Sequence, residues 1–351
     1  MIRTVNKQEA LDCPLVAITS FPEHFRGYIR FALEDMNIDI AHLDFGRTGF
    51  RSKACPTDMN GHYVDGTFFA KYTGTLLFFH AYDCDCVMRN YPNRKFQTLL
   101  LDHRVQPFGD RATSPYNANT IICNGSDALI HDIRKSAPFG NEVGNVGFFT
   151  THYASSVRKP KTAFVQAVGN SKYQCQFDIP EVCQMLLDEG YEVNFFDHVL
   201  HRSDHTFEGV LFNNVPPHVH YVQSEKLLPE GVRIVKPGLD YIRTLTSCSH
   251  YVGYGSSGII TNSFTPGATQ ILLQSDWLPK CPCLFRSVIE TLSYPVATMS
   301  ELRRCLIAAP KDDPQVRDYL FGKDRSDILR KVEEAVIQSL AYRSTSSGVT
   351  W

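Results

Sequence analysis

The sequence has little net charge and no long run of charge of one sign. Its 35 lysines and arginines nearly balance 37 aspartates and glutamates, which gives a formal net charge of −2. The sequence pI is about 6.7. This balance excludes proteins that hold nucleic acid or anionic membranes through a global excess of positive charge. A nucleic-acid substrate would have to meet a local basic patch.

Long apolar runs and secretion signals are also lacking. No stretch approaches the ~20 apolar residues of a membrane-spanning helix, and residues 1–10 lack the apolar core of a signal peptide. The 11 cysteines are an odd number, which without a secretion signal favours reduced thiols. We therefore expect a cytoplasmic protein that does not contact membranes.

The common nucleotide and zinc motifs are missing as well. The sequence contains neither Gly-x-Gly-x-x-Gly nor a P-loop, which argues against dinucleotide and ATP binding. Its closely spaced cysteines, Cys84 with Cys86 and Cys281 with Cys283, form Cys-x-Cys pairs rather than the Cys-x-x-Cys of zinc sites. No metal site made of protein ligands is predicted.

The most informative stretch is residues 241–273. It predicts a helix at 241–249, a buried strand at 250–254, a turn of small residues at 255–258 and a second helix at 259–264. Small residues at a strand-to-helix turn let the backbone approach an anion, and a helix N-terminus supplies free N–H groups. The pattern favours a phosphate or diphosphate site, although small residues at such turns can also serve packing alone.

The alternation of strands and helices runs through the whole chain. Apolar strands are predicted at 14–19, 38–43, 75–80, 96–101, 120–123, 146–150, 162–168, 193–196, 232–235 and 269–273. Continuously apolar strands separated by helices indicate parallel sheets that are covered on both faces.

We predict an α/β fold with two Rossmann-like domains that face a central cleft. The first domain covers residues 1–155, the second covers 160–320, and a closing helix and tail over 321–351 pack back toward the first. The polar residues 154–161 would form the hinge. In the second domain the strand-exit loops 169–172, 236–239 and 255–258 would converge and fit one nucleotide diphosphate.

Residues 99–108 read LLLDHRVQPF, an apolar strand followed by Asp-x-Arg and Pro-Phe. With the two nucleotide-binding-like halves, this resembles the GT-B glycosyltransferases. Within them it is similar to the strand and loop with the catalytic aspartate in the hydroxymethylcytosine-modifying DNA β-glucosyltransferases of T-even bacteriophages. Residues 121–135, 146–153 and 164–197 continue the resemblance in register. It covers residues 75–200, and the remainder agrees only in element order.

The resemblance implies a UDP-sugar as co-substrate and an inverting transfer, in the host cytoplasm for a phage protein. Asp102 would be the general base that takes the proton of the acceptor hydroxyl as its oxygen attacks the anomeric carbon. Its place at the end of a buried strand agrees with this role, whereas capping its loop or pairing with Arg104 is the alternative. A bound diphosphate can recruit Mg²⁺ without a dedicated protein cage.

The donor contacts that the resemblance implies come from three loops and one helix. They are Gly169, Asn170, Ser171, Lys172, Pro237, Gly238, Leu239, Ser256, Ser257, Gly258 and Ile259, with Asn262 and Thr265 as weaker candidates. Where the family has arginines, this chain has only Lys172, so backbone N–H groups and Ser171 would help to neutralise the leaving UDP. The family's charged sugar contacts are also absent, which leaves the sugar open.

The acceptor that the resemblance implies is double-stranded DNA with a modified base. A basic and aromatic surface would follow the DNA backbone while the base flips out of the duplex. The predicted acceptor-binding residues are Arg89, Arg94, Lys95, His103, Arg104, Phe108 and Arg111. They are expected at strand ends on the cleft side, although ordinary surface charge explains the basic residues equally well.

Other functions fit the same architecture. The acceptor could instead be a saccharide, a lipid-linked glycan or a small metabolite. A UDP-sugar 2-epimerase shares the two-half architecture and would consume its UDP-sugar without an acceptor. A protein that binds nucleotide-sugar or DNA without turnover is the alternative outside enzymes.

Overall fold

The computed structural model describes residues 2–19, 34–36, 38–44, 66–79, 84, 87–88, 91–101, 118–123, 125–136, 142–145, 149–167, 175–197, 228–236, 238–254, 258–281 and 283–346. The chain divides into two compact units. The first consists of Met1–His152 and Asp318–Trp351, and the second of Tyr153–Arg317.

The first unit is built on a parallel sheet of seven described strands. They are β1 (Ile2–Thr4), β2 (Leu15–Thr19), β3 (Ile40–Asp44), β4 (Thr75–Phe78), β5 (Gln97–Leu101), β6 (Thr120–Cys123) and β7 (Glu142–Asn145). Their order is β1-β3-β2-β4-β5-β6-β7, so the chain runs from β2 to β3 on one side and then crosses to β4 on the other. Every side chain of β4 is buried, as expected for a strand covered on both faces.

Helices and short 3₁₀ turns connect the strands of both units. The helices are α1 (Lys7–Leu11), α2 (Gly66–Lys71), α3 (Asp127–Ser136), α4 (Ile179–Asp188), α5 (Leu239–Ser247), α6 (Gly258–Ser263), α7 (Cys283–Leu292), α8 (Met299–Cys305), α9 (Pro314–Phe321) and α10 (Ile328–Ser346). The 3₁₀ turns are Phe149–Tyr153 and Leu278–Lys280.

The C-terminal part of the chain returns to the first sheet. The Ser126 N–H donates to the Leu320 carbonyl at 3.0 Å, and the Ser126 hydroxyl donates to the Tyr319 carbonyl. The Tyr319 hydroxyl donates to Asp132 on α3 at 3.0 Å, and α10 packs against β6. The turn that starts α3 is thereby closed by the backbone at the end of α9.

The second unit contains a parallel sheet of six described strands. They are β8 (Lys159–Ala167), β9 (Glu192–Asp197), β10 (Arg233–Ile234), β11 (Cys248–Gly253), β12 (Thr269–Leu273) and β13 (Tyr294–Val296). The order is β10-β9-β8-β11-β12-β13. The chain therefore adds β9 and β10 on one side of β8 and then crosses to add β11, β12 and β13 on the other. This is the strand order of a Rossmann fold.

The two faces of the second sheet differ in polarity. On one face, side chains such as Ala163 and Val165 pack with α4 in the hydrophobic core. Because successive side chains of a strand point to opposite faces, residues such as Gln166, Asn194 and Gln270 lie on the other face, where all three are buried. Buried amides are costly unless they are hydrogen-bonded, so this face requires specific partners.

Residues 155–158 lie within the predicted hinge but are held firmly by the second unit. The Arg158 guanidinium donates to backbone carbonyls at the ends of α5 and α6 and to one side-chain amide. These acceptors are the carbonyls of Leu245, Cys248, Asn262, Thr265 and Pro266 and Oδ1 of Asn262. Ser155 adds to the anchor, since its N–H donates to the Thr246 hydroxyl at 2.7 Å. The segment therefore packs as part of the second unit rather than as a loose linker.

His250 on β11 joins neighbouring elements near the start of its strand. Its Nε2 lies 3.0 Å from the Leu306 carbonyl, and its Nδ1 lies 3.0 Å from the Ser249 hydroxyl. The Tyr191 ring packs edge-on against it, with 4.8 Å between the ring centroids. Burial lowers the pKa of His250, and the nearby Lys161 ammonium lowers it further, although the Leu306 carbonyl opposes the shift.

We expect the free energy of unfolding of the second unit to fall as the pH drops below about 6.5, the ordinary pKa of histidine. Since the folded pKa of His250 is lowered, the unfolded chain binds this proton more tightly, and the stability is lost as the pH falls through the folded pKa. Guanidinium unfolding followed by the buried Trp277, with the second tryptophan removed as Trp351→Phe, measures this unit. His250→Gln should flatten the pH dependence, and an unchanged slope would contradict the assignment.

One predicted strand is wrong. The end of the predicted strand 146–150 belongs to the 3₁₀ turn Phe149–Tyr153, and the edge strand β7 lies earlier, at Glu142–Asn145. A short apolar run such as VGFFT cannot be assigned to strand or helix by periodicity alone, and EVGN carries little strand signal. The short elements β1, β13, α1 and α2 were not predicted, nor were α7 and α9.

Candidate functional site

The order of the second sheet creates a switch point between β8 and β11. The helix that follows β8 in the chain, α4, packs on the apolar face, whereas α6 follows β11 and lies on the face of Gln166. Ligands of open α/β sheets bind outside the carboxyl ends of the strands at such a point. The connecting residues here are 168–174 after β8 and 254–257 after β11.

The predicted donor residues fall partly on these connections. Gly238, Leu239, Gly258, Ile259 and Asn262 are described. Gly169, Asn170, Ser171, Lys172, Pro237, Ser256 and Ser257 lie outside the described residues. The described residues that lie next to these two connections define the surroundings of the candidate site.

Gln166 lies at the switch point, one residue before the end of β8, and is fully buried. Its Oε1 accepts a hydrogen bond from the Tyr251 hydroxyl at 3.1 Å. Its Nε2 donates to the Tyr241 hydroxyl at 3.3 Å. Tyr251 belongs to β11 and Tyr241 to the first turn of α5. One amide thus links both strands of the switch point to the helix that precedes β11.

Gly258, the first residue of α6, lies against the same amide. A Cβ at this position would be 2.0 Å from Oε1 of Gln166 and 3.2 Å from the Tyr241 hydroxyl. Any larger residue therefore has to displace Gln166 from its hydrogen bonds. The glycine at this turn therefore has a packing role.

We expect Gly258→Ala to destabilise the second unit by about 1–3 kcal/mol, because the added methyl group overpacks a filled space. The same substitution in a Gln166→Ala background should cost much less, since the clashing amide is gone. Unfolding of the four variants of this cycle, followed by Trp277 fluorescence with Trp351→Phe throughout, gives the interaction energy directly. Equal costs of Gly258→Ala in both backgrounds would contradict the close contact.

Asn262 and Ile259 lie deeper in the same helix, and both are fully buried. Oδ1 of Asn262 accepts a hydrogen bond from Arg158 at 2.6 Å, and its Nδ2 donates to Oε1 of Gln270 at 3.3 Å. The amide of Asn262 is thus engaged inside the second unit. Its predicted contribution to donor binding stays a prediction.

Aromatic rings surround the Gln166 amide. The Tyr241 ring packs against Phe164 and Phe196, with centroid distances of 5.6 Å and 4.4 Å. Burial raises the pKa of Tyr241, although the hydrogen bond from Gln166 opposes the shift. Its hydroxyl therefore stays protonated at neutral pH. The layer shields the amide from water, which strengthens its hydrogen bonds.

The turn before α5 is held by Asp240. Its carboxylate accepts a hydrogen bond from the Lys236 N–H at 2.9 Å and forms an ion pair with Arg233 at 2.5 Å. Partial burial opposes ionisation, but the bonds from Lys236 and Arg233 outweigh it and lower the pKa of Asp240. Gly238 has a φ of 98°, which glycine adopts readily. Gly238 and Leu239, two of the predicted donor contacts, therefore belong to a fixed turn.

The predicted general base, Asp102, lies outside the described residues. It directly follows Leu101, the fully buried last residue of β5. β5 pairs with β4, and β4 is one of the two strands at the switch point of the first sheet. The acceptor candidates Arg89, His103, Arg104, Phe108 and Arg111 also lie outside the described residues.

Arg94 and Lys95 do not lie where they were expected. They precede β5, which begins at Gln97, so they lie at the amino edge of the first sheet. Asp102 follows the opposite, carboxyl end of β5, and a strand of this length separates the two edges by about 16 Å. Their expected place on the side of Asp102 is therefore wrong. The chain has already returned to the other edge of the sheet when it reaches these residues.

In the described part of the chain, no group of three or more histidine, cysteine, aspartate or glutamate side chains could hold a metal ion. No helix in that part is long and apolar enough to cross a membrane.

Sequence reasoning did not identify Gln166, Asp240 or Arg158. Gln166 carried a weak signal, since it is a polar residue inside the apolar strand AFVQAV. Asp240 carried another, because an acidic residue in the first turn of a helix often stabilises its start. Arg158 carried none, because its hydrogen-bond acceptors are 87 to 108 positions away.

The fold defines an α/β protein of two units, the second with Rossmann strand order. No family model and no curated protein matches the chain. Similar solved structures include sucrose-phosphate synthase from Thermosynechococcus elongatus, with 14% identity over 81% of this chain and 77% of that chain and a TM-score of 0.37. UGT89C1 of Arabidopsis thaliana has 10% identity over 84% and 71%, with a TM-score of 0.37.

MurG of Acinetobacter baumannii has 10% identity over 93% of this chain and 100% of that chain, with a TM-score of 0.37. Similarities at this level carry no argument about function. The fold class stands on the topology of the two sheets.

Proposed function

We propose that the chain is a GT-B glycosyltransferase that moves a sugar from a UDP-sugar to the hydroxymethyl group of 5-hydroxymethylcytosine in DNA. The observation that carries the proposal is the Rossmann strand order of the second sheet, with a switch point between β8 and β11. The donor is assigned to the second unit and the general base, Asp102, to the first. The resemblance of residues 99–108 to the phage enzymes supports the acceptor.

The donor half of the proposal rests on the carboxyl edge of the second sheet. α5 follows β10 and α6 follows β11, so both helices start at this edge of the parallel sheet. Free N–H groups and the positive ends of helix dipoles stabilise a diphosphate and the charge that develops on the leaving UDP. Lys172, in the connection after β8, would add one ammonium.

In the acceptor half of the proposal, the sugar is transferred in a single displacement with Asp102 as the general base. The hydroxymethyl oxygen attacks the anomeric carbon while the bond from that carbon to the UDP oxygen breaks. The hydroxyl proton goes to the Asp102 carboxylate, and UDP leaves with the electron pair of the broken bond. The sugar is transferred with inversion because attack and departure occur on opposite sides of the same carbon.

A saccharide or small-molecule acceptor is the second candidate. Arg94 and Lys95 lie at the amino edge of the first sheet, which removes them from a DNA path along the opposite edge. Fewer phosphate contacts weaken DNA binding, whereas a small acceptor needs no extended line of cations.

The test is UDP release from a panel of UDP-sugars, with a duplex that contains hydroxymethylcytosine and with the same duplex carrying cytosine. Release that requires the hydroxymethyl group is expected. Equal release on both duplexes would exclude DNA as the acceptor and favour the second candidate, and loss of UDP-sugar without any acceptor would indicate an epimerase. Each reaction is run with Mg²⁺ and with a chelator, because a diphosphate can recruit the ion.

A further inference from the structure

We propose that Gln166 is the positioning residue of the nucleotide-sugar site, an inference that rests on the proposed function. Gln166 acts through Tyr241 in the first turn of α5 and through Gly258 at the start of α6. The fully buried amide thereby sets where both helices begin relative to the switch point.

Two glycines leave the space that the side-chain amide of Gln166 and the Tyr251 phenol occupy. In the sheet, Gln166 lies level with Gly253 on β11. A Cβ on Gly253 would be 2.8 Å from the Tyr251 hydroxyl and 2.9 Å from the Gln166 carbonyl. On the side of α6, the absence of a side chain at Gly258 leaves room for the Gln166 amide. The phenol of Tyr251 can therefore reach Oε1 of Gln166 only because position 253 has no side chain.

The polarity of this position needs an explanation other than stability. An apolar side chain beside Phe164 and Phe196 would suit the aromatic surroundings and would avoid the cost of burying an amide. The amide instead forms directional hydrogen bonds, among them those with Tyr241 and Tyr251. Binding sites require placement to within about 0.5 Å, and hydrogen bonds fix distances more narrowly than apolar packing does.

Gln270 provides a matched control on the same face of the sheet. It is 2% exposed, and its amide is hydrogen-bonded to Asn262 at 3.3 Å and to the Leu292 carbonyl at 3.4 Å. Gln270 lies level with Tyr251, two residues farther from the carboxyl edge than Gly253. The hydrogen-bond partners of Gln270 lie near the C-terminal ends of α6 and α7, so Gln270→Leu should not move the N-terminal ends of α5 and α6.

The experiment compares Gln166→Leu with Gln270→Leu. UDP affinity is measured by calorimetry, and unfolding by Trp277 fluorescence with Trp351→Phe in every protein. Each variant loses one buried amide that is hydrogen-bonded to neighbouring elements, so losses of stability of similar size are expected. UDP binding should weaken about tenfold or more in Gln166→Leu, because misplacement of the helix starts is costly, and less than about twofold in Gln270→Leu. Gln166→Met, which keeps the length of the side chain, is measured in parallel as a second apolar variant.

The outcomes separate the inference from the proposed function. Binding of UDP by the parent protein with equal affinities in the Gln166 and Gln270 variants would overturn the inference and leave the proposed function standing. Failure of the parent to bind UDP would overturn the proposed function and the inference with it. Selective loss of UDP binding in the folded Gln166 variants would establish the positioning role, since a merely structural amide would affect stability alone.

Discussion

Replacing Arg158 with methionine is expected to lower the free energy of unfolding of the second unit by about 3–5 kcal/mol. The guanidinium donates to the Cys248 carbonyl at 2.9 Å and to the Asn262 carbonyl at 2.6 Å, among other acceptors. Burial lowers its pKa to about 10, so the group remains charged at neutral pH. Neither α5 nor α6 has a basic residue in its own last turn. The Arg158 guanidinium therefore provides the positive charge that stabilises the C-terminal ends of both helices.

Arg286 serves as the control for the Arg158 prediction. Among the described residues, its guanidinium donates to two carbonyls, those of Pro279 and Cys281, so Arg286→Met should cost about 1 kcal/mol. Arg158→Lys should fall between the two, since an ammonium keeps the charge but cannot reach all the acceptors of the planar group. Guanidinium unfolding followed by Trp277 fluorescence, with Trp351→Phe in each protein, compares the variants. Similar losses for Arg158→Met and Arg286→Met would show that the helix ends do not depend on Arg158.

Strands inside each sheet were predictable because their signals are local. Thr120–Cys123 and Thr269–Leu273 have the predicted bounds, since each coincides with an apolar run in the sequence. β1 and β13 are three-residue strands that exist through pairing with β3 and β12. A segment of three residues carries no local signal of the strand with which it pairs, so β1 and β13 were not predicted.

The same difference between local and long-range signals applies to the candidate site. The small residue at Gly258 was recognisable from the pattern of strand, turn and helix. Its contact with Gln166 joins residues 92 positions apart in the sequence. The hydrogen bonds between Gln166 and the hydroxyls of Tyr241 and Tyr251 span 75 and 85 positions. Long-range pairing of this kind is fixed only when the sheet forms. The placement of Arg94 and Lys95 failed for a related reason, because the sequence does not mark the edge of the sheet to which a loop returns.

Asp102→Asn is expected to lower kcat by about 10²–10⁴-fold, the usual contribution of a general base. Leu101 ends a buried strand that pairs with β4, so Asp102 is the next residue of the chain beyond the carboxyl edge of the first sheet. Asparagine has nearly the same shape but cannot accept the proton of the acceptor hydroxyl. The affinity for UDP should stay within about twofold of the parent value, since the donor is assigned to the second unit. The measurement is UDP release at saturating donor and acceptor, with UDP binding determined separately.

Asp127→Asn is the matched control for this last substitution. Asp127 is an exposed carboxylate in the first turn of α3, close after the neighbouring strand β6, and its loss should change kcat by less than about twofold. Full turnover of Asp102→Asn would show that another group takes the proton. A large loss of UDP affinity in Asp102→Asn would instead place the carboxylate at the donor. A selective loss of kcat in Asp102→Asn would assign the proton transfer to this carboxylate, because the UDP affinity accounts for donor binding and Asp127→Asn accounts for the general charge of this edge.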